Sequence, residues 1–416
     1  MTNLRKFFID NEYIANLNFI LLILLPISLL VGSAVINFVV ILFDILFLIE
    51  VIKKKEKQIF NEKHIYILII IWFYLIINSF IGINYENSLT RSIAFIRFVI
   101  LAIGINYYFC RYYNQFIKYI IKLWSLIFII VTIDLIFESI FGFNLTGNVS
   151  PLYSKGRLAG FLGEELKIGN YYFGFILITL SYILSKFKNN YLLFVFSIIF
   201  TIVALLIGER SNFLKILFII PFFLFFFQNK YFFKKIFVIL ISLTILFSIV
   251  FTNKNYKTRF WEMLFQPIIQ YSLNPIEILK KMPYGAHYDT AFKIFNENKF
   301  SGVGLKNFRI ESGNEKYRNS EFIFTDKRQN THPHQLHFEF LSELGLVGYF
   351  LFFLFFYFSF SSCIKTYKKS KNLFQLSSFL FIIATLIPLL PSGSFFTTYT
   401  ATIFWINYGL LFYKKY

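Results

Sequence analysis

The chain has 416 residues, of which 57% are hydrophobic, 22% aromatic and only 15% charged, with a mean hydropathy of +0.63. A soluble chain of this length carries about 45–50% apolar and about 25% charged residues, so soluble, disordered and disulfide-scaffold classes are excluded. The net charge of +19, from 41 Lys and Arg against 22 Asp and Glu, would point to nucleic acid in a soluble protein, but in a membrane protein the place of each charge matters more than the total.

A bilayer core about 30 Å thick needs roughly 17–25 apolar residues per helix. On that window the sequence predicts about twelve transmembrane helices, near 15–31, 33–52, 65–82, 92–110, 118–141, 168–185, 191–208, 211–228, 234–252, 341–362, 373–391 and 394–413. The expected fold is therefore an all-α polytopic membrane protein, divided into helices one to nine (1–252), a long external loop (253–340) and helices ten to twelve (341–416). No cleavable signal peptide is expected, because residues 1–16 run into apolar sequence without a small-residue cleavage site.

The connections alternate in charge. Those on the N-terminal side hold 21 Lys and Arg, from Arg5 and Lys6 through Lys53, Lys54, Lys55 and Lys57 to Lys230, Lys414 and Lys415. The connections opposite, apart from 253–340, hold five: Arg91, Lys155, Arg157, Lys167 and Arg210. The positive-inside rule places both termini in the cytoplasm. Cys110 and Cys363 fall at cytoplasmic helix ends, where no disulfide is expected.

Two external connections are long. One, about 142–167, contains Arg157-Leu-Ala-Gly-Phe-Leu-Gly163. The other, about 253–340, exceeds ordinary loop lengths and is functional or disordered by default. Trp261-Glu-Met-Leu-Phe265 and Asp289-Thr-Ala-Phe-Lys-Ile-Phe295 have helical apolar spacing, and Gly302-Val-Gly304 reads as a tight turn. The loop ends in Thr331-His332-Pro333-His334-Gln335-Leu336-His337-Phe338-Glu339, which holds three of the five histidines. Pro333 suits a helix start, which would put His334 in the first turn. Three readings stay open: a polar helix cap with surface histidines, a zinc site using His334 and His337 at i, i+3 with His332 near, or a catalytic histidine acting as general base.

External arginines surround these motifs. Arg210 lies in the tight turn Gly208-Glu-Arg-Ser, Arg157 and Arg259 in the two long loops, and Arg309 just past Gly302-Val-Gly304. Guanidinium groups there suit bidentate binding of a phosphate or diphosphate; a solvated charge or lipid-headgroup contact is the alternative for Arg259 and Arg309. Within the spans, Arg97, Asp134 and Glu138 are ionisable, and an Arg97–Asp134 pair competes with a substrate role. No Asp-x-Asp, Walker A, Gly-x-Ser-x-Gly or His-Glu-x-x-His motif occurs.

Gly302-Val-Gly304 with Asn307-Phe308, then Thr331-His-Pro-His334, then Glu343-Leu-Gly-Leu-Val-Gly348 opening a span, resembles the O-antigen ligase/polymerase superfamily. The His-Pro-His form, Arg157-Leu-Ala-Gly-Phe-Leu-Gly163 and Lys306-Asn-Phe-Arg309 are closer to the O-antigen polymerase branch. The resemblance implies a GT-C-type architecture in the bacterial inner membrane and an inverting, metal-independent, cofactor-free glycosyltransferase of hexosyltransferase type. It would join undecaprenyl-diphosphate-linked oligosaccharide units at the periplasmic face. The acceptor would be a growing glycan or, in a ligase, lipid A-core or protein; a chain-length regulator and membrane lipids are further expected partners, and nucleic acid is not. The resemblance puts the catalytic base at His334, followed here by Gln335 where family members carry Asn, and matches Arg210 to a Gly-x-Arg turn. Arg157 or Arg259 would assist Arg210 at the diphosphate. The family's Arg…Trp pair ahead of the Gly-Val-Gly turn is replaced by Gly285-Ala-His287, so His287 would take part of that site, with Arg259-Phe-Trp261 well upstream. Glu343 or His337 would orient His334, and His332 and Arg309 complete the expected substrate site. A transporter would need a charged central path and inverted repeats, and no repeat is visible.

Overall fold

The computed structural model describes residues 12–151, 156–227, 231–270 and 274–414. Of the residues used above to assign sides, Arg5, Lys6, Lys155, Lys230 and Lys415 lie outside the described residues. Every regular element among those described is helical. The first five are α1 (Tyr13–Val31), α2 (Ser33–Lys54), α3 (Lys63–Ile81), α4 (Tyr85–Ala94) and α5 (Ile96–Arg111). A π-helical stretch over Phe116–Ile121 then runs into α6 (Lys122–Phe141), followed by α7 (Ile168–Phe187), α8 (Asn190–Leu206), α9 (Arg210–Phe226) and α10 (Phe232–Thr252).

Eight helical stretches are long and apolar enough to cross a membrane, and each of the twelve intervals expected as a span overlaps a helix. The chain is an all-helical polytopic membrane protein. Helices are the natural solution here because every backbone N–H and C=O in hydrocarbon must be satisfied within its own segment. Three helix starts carry asparagine caps: the side chains of Asn84, Asn189 and Asn372 each accept from a backbone N–H in the first turn.

The long external connection is folded. A π-helical stretch over Lys257–Phe265 precedes α11 (Pro275–Lys281) and α12 (Pro283–Glu297). Ala291 and Ile294 of α12 form a small core with Val303, Phe308 and Tyr317, against which Phe338 packs. This cap rests on the N-terminal part of α13 (Leu336–Ser370), which is followed by α14 (Leu373–Thr385) and α15 (Thr398–Gly409).

Three expectations are corrected. The helix does not start at Pro333: Gln335 is the N-cap of α13, its side chain accepting from Phe338 N at 3.0 Å, so His334 lies outside the helix. Apolar sequence over 386–391 and 394–397 is not helical, because Pro388, Pro391 and Gly393 interrupt it. Finally α13 is broken at Gly345, with φ 66° and ψ −168°, a combination open essentially to glycine alone.

That break has a partner. Leu346 and Val347 donate to the carbonyls of Lys299 and Phe300, at 2.8 and 3.2 Å, while Val303 and Gly304 donate to those of Ser342 and Glu343, at 3.0 and 2.9 Å. The Gly302-Val-Gly304 turn thus replaces the helical bonds that Gly345 interrupts, and a Cβ on either Gly302 or Gly345 would collide with the other segment's backbone. Gly345→Ala should cost about 1–3 kcal/mol or more, seen as a lower thermal midpoint of the purified chain in detergent.

Candidate active site

A cavity of about 780 Å³ opens where one set of helix ends meets the cap. Its walls come from the start of α2, from α4, from the 156–167 segment, from the α8–α9 turn, from the cap and from the loop between α14 and α15. These are the connections expected on the side opposite the termini.

The arginine wall is built from below. Glu138, near the end of α6, accepts from Gly160 N at 2.8 Å, Ala159 N at 3.4 Å and the Ser150 hydroxyl. Asp134, one turn earlier, accepts from Leu145 N at 2.8 Å. The two intramembrane carboxylates therefore moor the loop that carries Arg157. The expected Arg97–Asp134 pair does not form; Arg97 instead donates to Thr398 Oγ1 at 3.3 Å.

Leu158 N donates to the Ile207 carbonyl at 3.1 Å, and Gly208 (φ 73°) lies so close to Gly156 that an added Cβ would strike the Gly156 carbonyl oxygen. Arg259 Nε donates to the Gly208 carbonyl at 3.0 Å, Arg210 Nη1 to that of Met263 at 3.2 Å, and Arg157 Nη2 to that of Leu166 at 2.7 Å. Three guanidinium groups from three elements meet here. Burial, with Arg157 and Arg210 as positive neighbours, pushes the Arg259 guanidinium down to about 10. Arg157 and Glu209 line the cavity directly, whereas Arg210 and Arg259 stand behind them. Because Glu138 positions this wall without reaching it, Glu138→Ala should free the loop that carries Arg157, seen as faster amide hydrogen exchange over 157–163, while far-UV circular dichroism stays unchanged.

His332 and His334 line the same cavity. His334 has φ 59°, left-handed and uncommon outside glycine. It is held there by Ser392 N, which donates to the His334 carbonyl at 2.7 Å, and His332 Nε2 is bonded to the Ser392 carbonyl at 3.3 Å. The His334 ring lies 4.2 Å from that of His332, 5.1 Å from His287 and 5.5 Å from Tyr284, centroid to centroid. His287 Nδ1 is bonded to the Arg328 carbonyl at 3.1 Å. No hydrogen bond occupies the His334 ring nitrogens among the described residues.

Burial, then the neighbouring histidines, pushes His334 down to about 3; burial and Lys306 do the same to His332, and burial lowers His287. All three are neutral at pH 7. Their folded pKa values lie below the unfolded value of 6.5, so the unfolded chain binds more protons between the two and stability falls as pH drops below 6.5. The thermal midpoint should decrease from pH 7 to pH 5, and His332→Gln should flatten that dependence.

Two expected site residues point elsewhere. His337 is bonded through Nδ1 to the Tyr349 hydroxyl at 3.1 Å and through Nε2 to the Leu386 carbonyl at 2.9 Å, and it lines a separate apolar groove. Glu343 is fully buried, and its Oε2 accepts from Lys306 N at 2.9 Å. Neither touches the cavity or His334, so the i, i+3 zinc arrangement also fails. Among the described residues, no group of three His, Cys, Asp or Glu side chains converges on a metal position.

The structure adds residues that motif reading missed. Lys306 Nζ donates to Glu339 Oε1 at 3.3 Å and to the Ser394 hydroxyl, and Glu339 also accepts from Phe395 N at 2.8 Å. Lys306 and Ser394 line the cavity beside Arg309 and His332, and Arg91 lines it from α4. Glu339 lay within the quoted histidine motif and Lys306 within Lys306-Asn-Phe-Arg309; Ser394 was hidden in an expected span, where Pro391-Ser-Gly-Ser394 was the one visible sign of a loop.

No curated protein matches the chain. Residues 192–353, from α8 through the cap and the histidine motif into α13, match the family model described as O-Antigen ligase, which supports the O-antigen ligase/polymerase superfamily that the motifs resemble.

Proposed function

We propose that the chain is an O-antigen polymerase-like glycosyltransferase of GT-C type, joining undecaprenyl-diphosphate-linked oligosaccharide units at the periplasmic face of the inner membrane. The observation that carries this reading is one cavity lined by a neutral, unbonded His334 and by Arg157, behind which Arg210 and Arg259 add their charge. A lipid diphosphate leaves with the electron pair of the anomeric C–O bond and needs cations rather than a proton, which three guanidiniums supply. The acceptor hydroxyl needs a base. His334 would take its proton as the acceptor oxygen bonds to the anomeric carbon from the opposite side, inverting it, and then release the proton to solvent. A bound diphosphate raises the affinity of His334 for that proton.

The test is the purified full chain in detergent with EDTA and undecaprenyl-diphosphate-linked repeat units. A ladder of longer lipid-linked glycans is expected, and the absence of any elongation would overturn the reading. A transporter would make no ladder without a closed compartment. The family description favours a second reading, a ligase that passes the glycan to lipid A-core or protein. Cells lacking a polymerase keep one repeat unit on the core, whereas cells lacking a ligase show bare core and accumulate lipid-linked glycan.

A further inference from the structure

The cavity has a second positive wall that the donor diphosphate does not use. Arg91 on α4 and Arg309 beside the Gly302 turn both line the cavity and are both exposed to it. Neither side chain makes an ion pair or hydrogen bond among the described residues. They belong to different elements that are tied together beneath them. Asn307, fully buried, donates to the Val303 carbonyl at 2.8 Å and to Ser88 Oγ at 3.2 Å, and Ser88 donates to the Leu305 carbonyl at 2.6 Å. Ser88 lies on α4 one turn before Arg91, so the pair is positioned by a buried network.

The charges of the two walls differ in their compensation. The Arg157 group includes Glu209, the single carboxylate that lines the cavity among the described residues. On the other wall, Lys306 is matched by Glu339, and Arg91 and Arg309 are left without a counter-charge. A cleft lined by one sign of charge concentrates anions of the other. One diphosphate held by the Arg157 group would leave this second pair, on other elements of the lining, unneutralised.

We infer that Arg91 and Arg309 form a second oxyanion subsite, on the acceptor side of His334, for a phosphate or diphosphate carried by the acceptor. The inference rests on the donor and base assignments above. The oxyanion has two sources, the lipid diphosphate of a second repeat unit or a phosphate on the acceptor's own sugars.

Titration calorimetry of the full chain in detergent with inorganic diphosphate tests it. Wild-type protein should bind two equivalents, and Arg91→Gln combined with Arg309→Gln should bind one. Arg91→Lys with Arg309→Lys should keep both, which shows that the loss is one of charge recognition rather than folding. One equivalent in wild type, unchanged by the glutamine pair, would overturn the subsite. Arg210→Gln with Arg259→Gln should remove the other equivalent; if it removes neither while the Arg91 pair still removes one, the donor assignment fails and the subsite stands. Two further ligands separate the sources. A tenfold or greater loss in the Arg91 and Arg309 glutamine variant for geranylgeranyl diphosphate supports the lipid-linked source, and the same loss for mannose 6-phosphate supports the saccharide source. Loss for neither overturns the subsite.

Discussion

His334→Ala is expected to abolish long glycan chains while the protein still inserts and folds. On the proposed mechanism a positioned general base contributes about 10²–10⁴ in rate, and the two neighbouring histidines are already engaged: His332 with the Ser392 carbonyl and His287 with that of Arg328. The left-handed backbone at His334, φ 59°, adds a complication, since alanine there introduces strain of its own. His334→Asn removes it, because asparagine tolerates the left-handed region yet cannot act as a base near neutral pH. Both variants should show wild-type thermal midpoints within a few degrees and no elongation in vitro. Wild-type chain lengths in the asparagine variant would remove the base from the mechanism. The pH profile gives an independent check. A base acts when deprotonated, and with His334 held down to about 3 kcat/KM should show no acid limb near pH 6.5, staying level to about pH 5.

The apolar helices were readable because hydrocarbon imposes a single backbone solution. His334 and Arg210 were singled out through short motifs whose recognition does not depend on exact helix ends, and their roles remain a proposal. What failed depended on those ends. The i, i+3 relation of His334 and His337 holds only if the helix includes both, and the Gln335 cap puts His334 outside it. Residues 386–397 are apolar enough to pass as membrane helix, yet Ser392 and Ser394 within them hold His334 and Lys306. Glu343 read as a site residue because it is charged and near the histidines; its buried bond to Lys306 N joins two motifs far apart in sequence. Such pairings follow from how segments fold against one another, which the local pattern does not encode. The same holds for Arg91, which reads as an ordinary topology signal until α4 is seen to border the cavity.

Arg210→Glu is expected to separate stability from activity. Arg157, Arg210 and Arg259 repel one another, and burial together with that repulsion pushes the Arg259 guanidinium down to about 10; the group is offset by Glu209 and by carbonyls such as those of Gly208 and Met263. Placing a carboxylate at 210 relieves that repulsion and offers Arg259 and Arg157 a partner, so the thermal midpoint should hold or rise. On the proposed mechanism the same carboxylate would repel the diphosphate and remove one of the cations that meet the charge developing on the leaving group. Loss of a single preorganised donor at such a position costs about 10²–10³ in kcat, and reversal should exceed it. A functional site that stores like charges stabilises its transition state at the expense of its own fold, and this variant reads both sides of that balance. Arg210→Gln should fall between, with activity reduced and stability close to wild type. A variant that lost stability and activity together would instead mean that Arg210 holds the α8–α9 turn through the Met263 carbonyl and that the diphosphate is met by Arg157 and Arg259 alone.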